Sequence, residues 1–333
     1  MAQGTTGSFA GGKVYPLNTP LEILRYPYLN LPEKARLALF TLKARREGTG
    51  DLDSVTARDF VVHRLGERIY GQFFGPLLRS KFGDRENEVS AEWLISRVAI
   101  RSNRGLSGER LGYLKGGFHL LVERLAELAG KQGCTIATGT PATRLERRDG
   151  AWAVNGVPYE RVLSTIPPQE VTRMGGPSLP EIPYQGAACM ALGLDRDVTE
   201  GIYWLNMKDP APYGAVVSHT NFIPVERYGE RIVYLASYFQ GTMDPALPGR
   251  MADDFCSRFG LPPDSVRWMR MAVEPFAGPI YSVGYRSHIP PYEEGGLFLA
   301  GMFSPPNYPE RSMEGSIVAG TDVAGRMEAV SHG

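Results

Sequence analysis

Two stretches near the end of the chain have the residue types and spacing to receive an anionic group or an electron-rich ring. Gly295-Gly-Leu-Phe-Leu-Ala-Gly-Met-Phe303 reads as a short apolar strand that closes at Gly301. Arg311-Ser-Met-Glu-Gly-Ser-Ile-Val-Ala-Gly320 then reads as a helix start, with Gly315 at its opening and Gly320 inside its first turns. Glycine lets a backbone come close to a ligand. A helix N-terminus presents unpaired N–H groups and the positive end of a dipole, and together these suit an anion. The same glycines also fit a plain strand–loop–helix turn in which they serve packing.

Other chemistry-bearing residues are sparse. The five histidines, His63, His119, His219, His288 and His332, show no metal spacing, so no metal site is expected. His119 reads as a surface or packing residue, and Glu314 as a helix-start charge that complements the dipole. Ser164-Thr165 lacks the His/Asp pattern of a serine hydrolase. No general base stands out, so the catalytic residues are left unassigned. Of the aromatics Tyr203, Trp204, Tyr234, Tyr238 and Phe239, alternation places half in a core and leaves the rest to line an apolar substrate pocket.

Composition bounds the class. The 333 residues carry 36 Lys+Arg against 36 Asp+Glu, with 43% hydrophobic and 22% charged residues. A disordered or collagen-like chain is excluded. Zero net charge speaks against a nucleic-acid partner. The 39 Gly and 26 Pro exclude a plain helical bundle. Cys134, Cys189 and Cys256 are far apart and read as small buried apolar residues in a reducing compartment. No basic-then-apolar leader opens the chain, and no apolar run approaches the roughly 18 residues of a membrane span. A cytoplasmic protein is expected, with peripheral membrane contact open.

The elements that must position these residues fall into blocks. Helices are expected over Leu21–Arg46, from Thr56 to about Gly66, over Glu67–Phe82 with a break at Pro76, and from Ser90. An amphipathic helix spans Phe118–Gly130, followed by strands Cys134–Thr138, Ala151–Val154 and Arg161–Thr165. Strands Ala187–Leu194, Ile202–Leu205, Ala215–Ser218 and Ile232–Tyr238 precede a helix over Arg250–Phe259. The end is strand Leu297–Ala300 and helix Ser316–Ala329.

In this order the segments resemble the flavin-containing amine oxidase superfamily, which includes protoporphyrinogen oxidases and phytoene desaturases. Ala300-Gly301 and Met313-Glu-Gly-Ser316 with Gly320 are similar to its C-terminal flavin-binding motif. Met302 stands where that motif often carries an acid. Tyr113-Leu-Lys-Gly-Gly-Phe-His119 resembles its Gly-Gly turn, and Thr140-Pro-Ala-Thr-Arg-Leu145 its stretch past the adenine end of FAD, with a backbone contact at Ala142. Arg161-Val-Leu-Ser-Thr-Ile-Pro-Pro168 resembles its strand-to-proline turn. Lys13–Pro20, Pro76–Gly83 and Glu88–Ala91 look like the substrate domain of protoporphyrinogen-oxidase-like members. The Gly-x-Gly-x-x-Gly turn that grips the FAD pyrophosphate has no counterpart in the chain. Gly48-Thr-Gly-Asp-Leu-Asp53 follows a charged helix and has Asp for the third glycine. Met1 corresponds to a position roughly a hundred residues into a family member. The nucleotide-binding half is on another chain, or the reading frame is truncated, or FAD has been lost.

The resemblance implies an α/β (α+β) fold, with a partial FAD-binding Rossmann-like domain interleaved with a mixed helix and β-sheet substrate domain. Residues 1–12 form a flexible start. Residues 13–110 and 181–285 form the helical and β-rich parts of the substrate domain, and 111–180 and 286–333 the FAD-domain parts. The implied cofactor is FAD, held by Ala142, Gly301, Met302, Met313, Gly315 and Ser316. The implied activity is an FAD-dependent oxidase or desaturase acting on a porphyrinogen, isoprenoid or lipid-linked molecule. A catalytically silent binding subunit and a non-redox flavin sugar-nucleotide mutase are the alternatives. Partners would be the small-molecule substrate and either a chain carrying the nucleotide-binding half or a second copy. Because pyrophosphate contacts anchor the dinucleotide, the chain purified alone is expected to be colourless. An absorbance spectrum with one flavin per chain would contradict this.

Overall fold

The structure is a computed structural model and describes residues 2–44, 52–102 and 109–329. The chain opens with β1 (Ala2–Gly4), β2 (Thr6–Ala10) and β3 (Lys13–Pro16). Helices α1 (Pro20–Arg25), α2 (Leu31–Ala44), α3 (Ala57–Leu65), α4 (Glu67–Ile69), α5 (Gly75–Phe82) and α6 (Ala91–Ser102) follow. Next come β4 (Glu109–Leu111), α7 (His119–Lys131), β5 (Leu145–Arg148), β6 (Ala151–Val154), β7 (Val157–Tyr159), β8 (Val162–Ser164) and α8 (Pro168–Arg173). Strands β9 (Tyr184–Leu194), β10 (Trp204–Met207), β11 (Ala215–Ser218) and β12 (Arg231–Phe239) lead to α9 (Leu247–Arg258) and β13 (Val266–Pro279). The end is β14 (Glu293–Glu294), β15 (Leu297–Leu299) and α10 (Met313–Ala329).

The helical region follows its capping chemistry. The single helix expected over Leu21–Arg46 divides at Tyr26-Pro27, where proline disfavours continuing the turn. A new start forms at Asn30. Its backbone N–H donates to Glu33 Oε2 (2.8 Å), and the Glu33 N–H donates to Asn30 Oδ1 (2.9 Å). Thr56 caps α3 as expected, accepting from the Asp59 N–H at 3.0 Å. The Glu67–Phe82 stretch contains a π turn at Tyr70–Phe74 before Pro76 resumes as α5. These helices close on Phe40, Phe60, Phe74, Leu78, Phe82 and Trp93. Arg45, Arg46, Gly48 to Gly50 of the rejected glycine motif, and His332 lie outside the described residues.

A seven-stranded sheet in the order β13-β9-β12-β11-β10-β2-β3 forms the second body. All its neighbours are antiparallel except β10 and β2. Alternation along each strand gives it two faces. Met190, Leu192, Val233, Leu235 and Leu205 pack on Met251 and Phe255 of α9. The opposite face has a small-residue floor of Ala187, Cys189, Ala191, Ala236 and Ala272, in register across three strands. Trp204, Tyr234 and Tyr238 stand on that same face, by register with Val217, Ala191 and Ala187. Phe239 packs with the α9 side instead.

Three expectations are corrected here. The start, expected to be flexible over residues 1–12, supplies β1 and β2 over the described part. Phe9 and Ala10 are buried, so burial of this apolar pair orders the segment despite its glycines. Cys134–Thr138 is not a strand: among the described residues none pairs with it, and Cys134 is exposed rather than buried. β13, the 14-residue edge strand, was not anticipated, because its exposed positions break the apolar alternation.

A smaller three-stranded sheet, β14-β15-β8, positions the site. Its β15–β8 pair is parallel, and Phe298 and Ala300 pack under Ala319 and Val323 of α10. In contrast α7 buries none of its residues, and Val122 and Leu125 are 66% and 58% exposed. Amide hydrogen exchange should be far faster in 134–138 than in 187–194, which lies between two ladders. Equal protection in the two segments would show that 134–138 is paired in solution.

Candidate functional site

The site is built where the parallel strands β8 and β15 end side by side. A Cβ on Gly301 would stand 3.1 Å from Thr165 O and 2.7 Å from the Phe303 ring, so glycine allows the two strand ends to meet. The Gly301 N–H donates to Ser304 Oγ at 2.9 Å. A loop then leads to α10, whose first turn is capped by Ser312: the Gly315 N–H donates to Ser312 Oγ at 2.8 Å.

Asn307, 1% exposed, holds these parts together. Its Nδ2 donates to Gly301 O (3.1 Å) and to Ser316 Oγ (3.2 Å), and its Oδ1 accepts from the Ser312 N–H (2.9 Å). A Cβ on Gly315 would stand 2.5 Å from Asn307 Oδ1 and 2.7 Å from Pro306 O. The glycine therefore makes room for Asn307 within the chain. Tyr281 donates its hydroxyl to Asn307 O at 2.9 Å, linking the loop to the segment that leaves β13.

Among the residues singled out from sequence, Gly301, Gly315 and Ser316 meet at Asn307, with Met302 next in chain after Gly301. Met313 opens α10 and is exposed. Ala142 lies elsewhere, on an exposed stretch outside any helix or strand. Asn155 fastens that stretch, accepting from the Thr143 N–H at 2.9 Å and donating to Pro141 O at 2.8 Å. His119 and Glu314 are exposed. Asn307 was not found from sequence, where Pro-Pro-Asn-Tyr-Pro signals only a turn. Among the described residues no His/Cys/Asp/Glu group could hold a metal.

A second cluster was equally hidden. His219 Nε2 lies 2.8 Å from the Tyr228 hydroxyl, which donates to Tyr113 at 3.4 Å. Tyr234 and Tyr113 also face the imidazole, with ring centroids 5.8 and 5.1 Å away. Burial lowers the His219 pKa, and burial with the Tyr113 contact pushes Tyr228 up to about 12. The cluster joins the end of β11 to the Gly116-Gly117 turn before α7.

Two outcomes are expected. Gly315→Ala should lower the stability of the flavin-free protein by about 1–3 kcal/mol in urea denaturation, through overpacking against Asn307. A variant as stable as the parent would mean that the loop yields freely. His219 binds its proton less readily folded than unfolded, so its contribution to stability is complete above about pH 6.5 and declines as pH falls below that value. His219→Gln should flatten this part of the pH–stability profile. An unchanged profile would place the titration elsewhere.

The flavin-containing amine oxidoreductase family model matches residues 3–327. No curated protein sequence matches the chain. Among solved structures, a protein from Exiguobacterium sp. 255-15 provisionally assigned as a protoporphyrinogen oxidase is similar in fold, with TM-score 0.70 and 18% identity. The match covers 98% of this chain and 80% of that one. Reduced UDP-galactopyranose mutase is similar with TM-score 0.70 and 14% identity, over 98% of this chain and 79% of that one. An oxidoreductase from Methanosarcina mazei gives TM-score 0.66 and 12% identity, over 98% and 80%. The parallel strand ends, the helix start above them and the extent of the family match agree: the chain belongs to the flavin-containing amine oxidoreductase family, and the family's cofactor is FAD.

Proposed function

We propose that the protein is an FAD-dependent oxidoreductase that removes a hydride from an apolar or amphipathic substrate such as a porphyrinogen, an isoprenoid or a lipid-linked molecule. The observation that carries this reading is the family match over residues 3–327. The residues present fit the flavin end of the cofactor. Ligands of parallel sheets bind outside the carboxyl ends of the strands, and α10 opens there with Met313 and Ile317 exposed. Gly301, Met302, Met313, Gly315 and Ser316 would hold the ring, and Ala142 the adenine end.

When bound, FAD supplies the hydride acceptor. The chain's own contribution is electrostatic and steric. The positive end of the α10 dipole favours negative charge at its first turn. The floor of Ala187, Cys189, Ala191 and Ala236 leaves room above the sheet, and Trp204, Tyr234 and Tyr238 offer apolar flanks that exclude water. The pyrophosphate grip is supplied by a nucleotide-binding unit outside these residues, to which the apolar face of α7 at Leu121, Val122 and Leu125 offers a surface. The exposure of that face supports this arrangement.

Anaerobic mixing of the flavin-loaded protein with a porphyrinogen, a polyene isoprenoid or a lipid-linked quinol tests the activity. Bleaching of the oxidised-flavin absorbance by one of these classes is expected. A bound flavin that none of them reduces would overturn the oxidoreductase reading. Failure to load flavin, even with a nucleotide-binding partner supplied, would favour a silent binding subunit.

A further inference from the structure

The turn that starts α10 also sends a side chain toward the seven-stranded sheet. Arg311 immediately precedes the capping Ser312, and its guanidinium lies against β13 at Gly278. A Cβ on Gly278 would stand 2.4 Å from Arg311 Cζ and 2.5 Å from Nη1. Glycine at 278 therefore leaves the place that the guanidinium takes. Gly278 is directly opposite Gln185 of β9 in the antiparallel register. Directly opposed residues project to the same face, so the guanidinium and the Gln185 amide lie on one side of the sheet.

Neither group is satisfied in the usual way. Gln185 is 1% exposed, yet its Oε1 and Nε2 have no hydrogen-bond partner. Buried side-chain amides are almost always paired, because leaving one unpaired is costly. Arg311 is half-buried, and among the described residues it makes no ion pair. The neighbouring Glu310 is taken by Arg97 at 3.2 Å and Lys81 at 3.9 Å. A guanidinium fork without a carboxylate, on the same sheet face as an amide without a partner, is complementary to a planar or tetrahedral oxyanion.

We propose that Arg311 and Gln185 form an anchor for an anionic group of the substrate, a carboxylate or a phosphate. The anchor lies where the start of α10 meets the sheet. It rests on the reading of that sheet face as the substrate side, and it makes the substrate an amphipathic anion. Arg311 supplies the charge and Gln185 an N–H donor beneath it. The anionic end is thereby fixed at the base of α10 and the apolar remainder is directed over the sheet.

The full chain, without flavin, is titrated with octanoate, octyl phosphate and octanol by calorimetry. Octanoate or octyl phosphate should bind, octanol at least tenfold more weakly, and the tighter of the two anions identifies the headgroup. Arg311→Gln should reduce anion binding at least tenfold, with Arg311→Lys intermediate because the fork is lost but the charge kept. Gln185→Leu should also weaken the anion, and it provides a second test should Arg311→Gln not fold. Binding of octanol equal to the anions, or anion binding unchanged in folded Arg311→Gln or Gln185→Leu, would overturn the proposal. Flavin loading of the same variants with a nucleotide-binding partner supplied, read by absorbance, separates this result from a failure of the flavin reading. The proposal requires that loading persist while anion binding falls.

Discussion

The side chain of Asn307 is the constraint on which the site depends. It is buried, and its amide serves the end of β15 at Gly301 and both Ser312 and Ser316 at the opening of α10. Its backbone carbonyl receives Tyr281, which belongs to the core shared with the helical region. Three separate parts of the chain are thus fixed by one residue. A buried amide whose partners are all in place is rigid, because displacing it would strand several polar groups at once. The glycine at 315 follows from this, since a methyl group there would occupy the space of the amide.

The sheet imposes the complementary constraint. Its α9 face is closed by large side chains, whereas the other face is floored with alanines and Cys189. Packing one side and sparing the other gives a rigid platform with space above it. Gly278 makes a local exception at the edge, where Arg311 lies over the strand. The start of α10 and the seven-stranded sheet are therefore joined through consecutive residues, Arg311 and Ser312.

Much of this was legible in the sequence where a local rule decides the outcome. Thr56 caps its helix, the apolar run at Leu297 is a buried strand, and strands Ala215–Ser218 and Ala151–Val154 lie where the sequence placed them. What was missed depends on distant partners. Thr6–Ala10 is flanked by glycines and becomes a strand only because β10 and β3 pair with it. Cys134–Thr138 has strand composition but no partner among the described residues. β13 is long because β9 templates it, across a register shift that places Gly278 opposite Gln185. Asn307, His219 and Gln185 carry no local signal, since their significance lies in contacts with residues far along the chain.

The central claim is that the carboxyl ends of β8 and β15, with the first turn of α10 held by Asn307, form the wall against which the flavin ring lies. A crystal structure of the flavin-loaded protein tests this most directly. The expected result is an isoalloxazine ring at those strand ends, in contact with Met302 and the first turn of α10 at Met313 to Ser316. A ring bound away from that turn would contradict it.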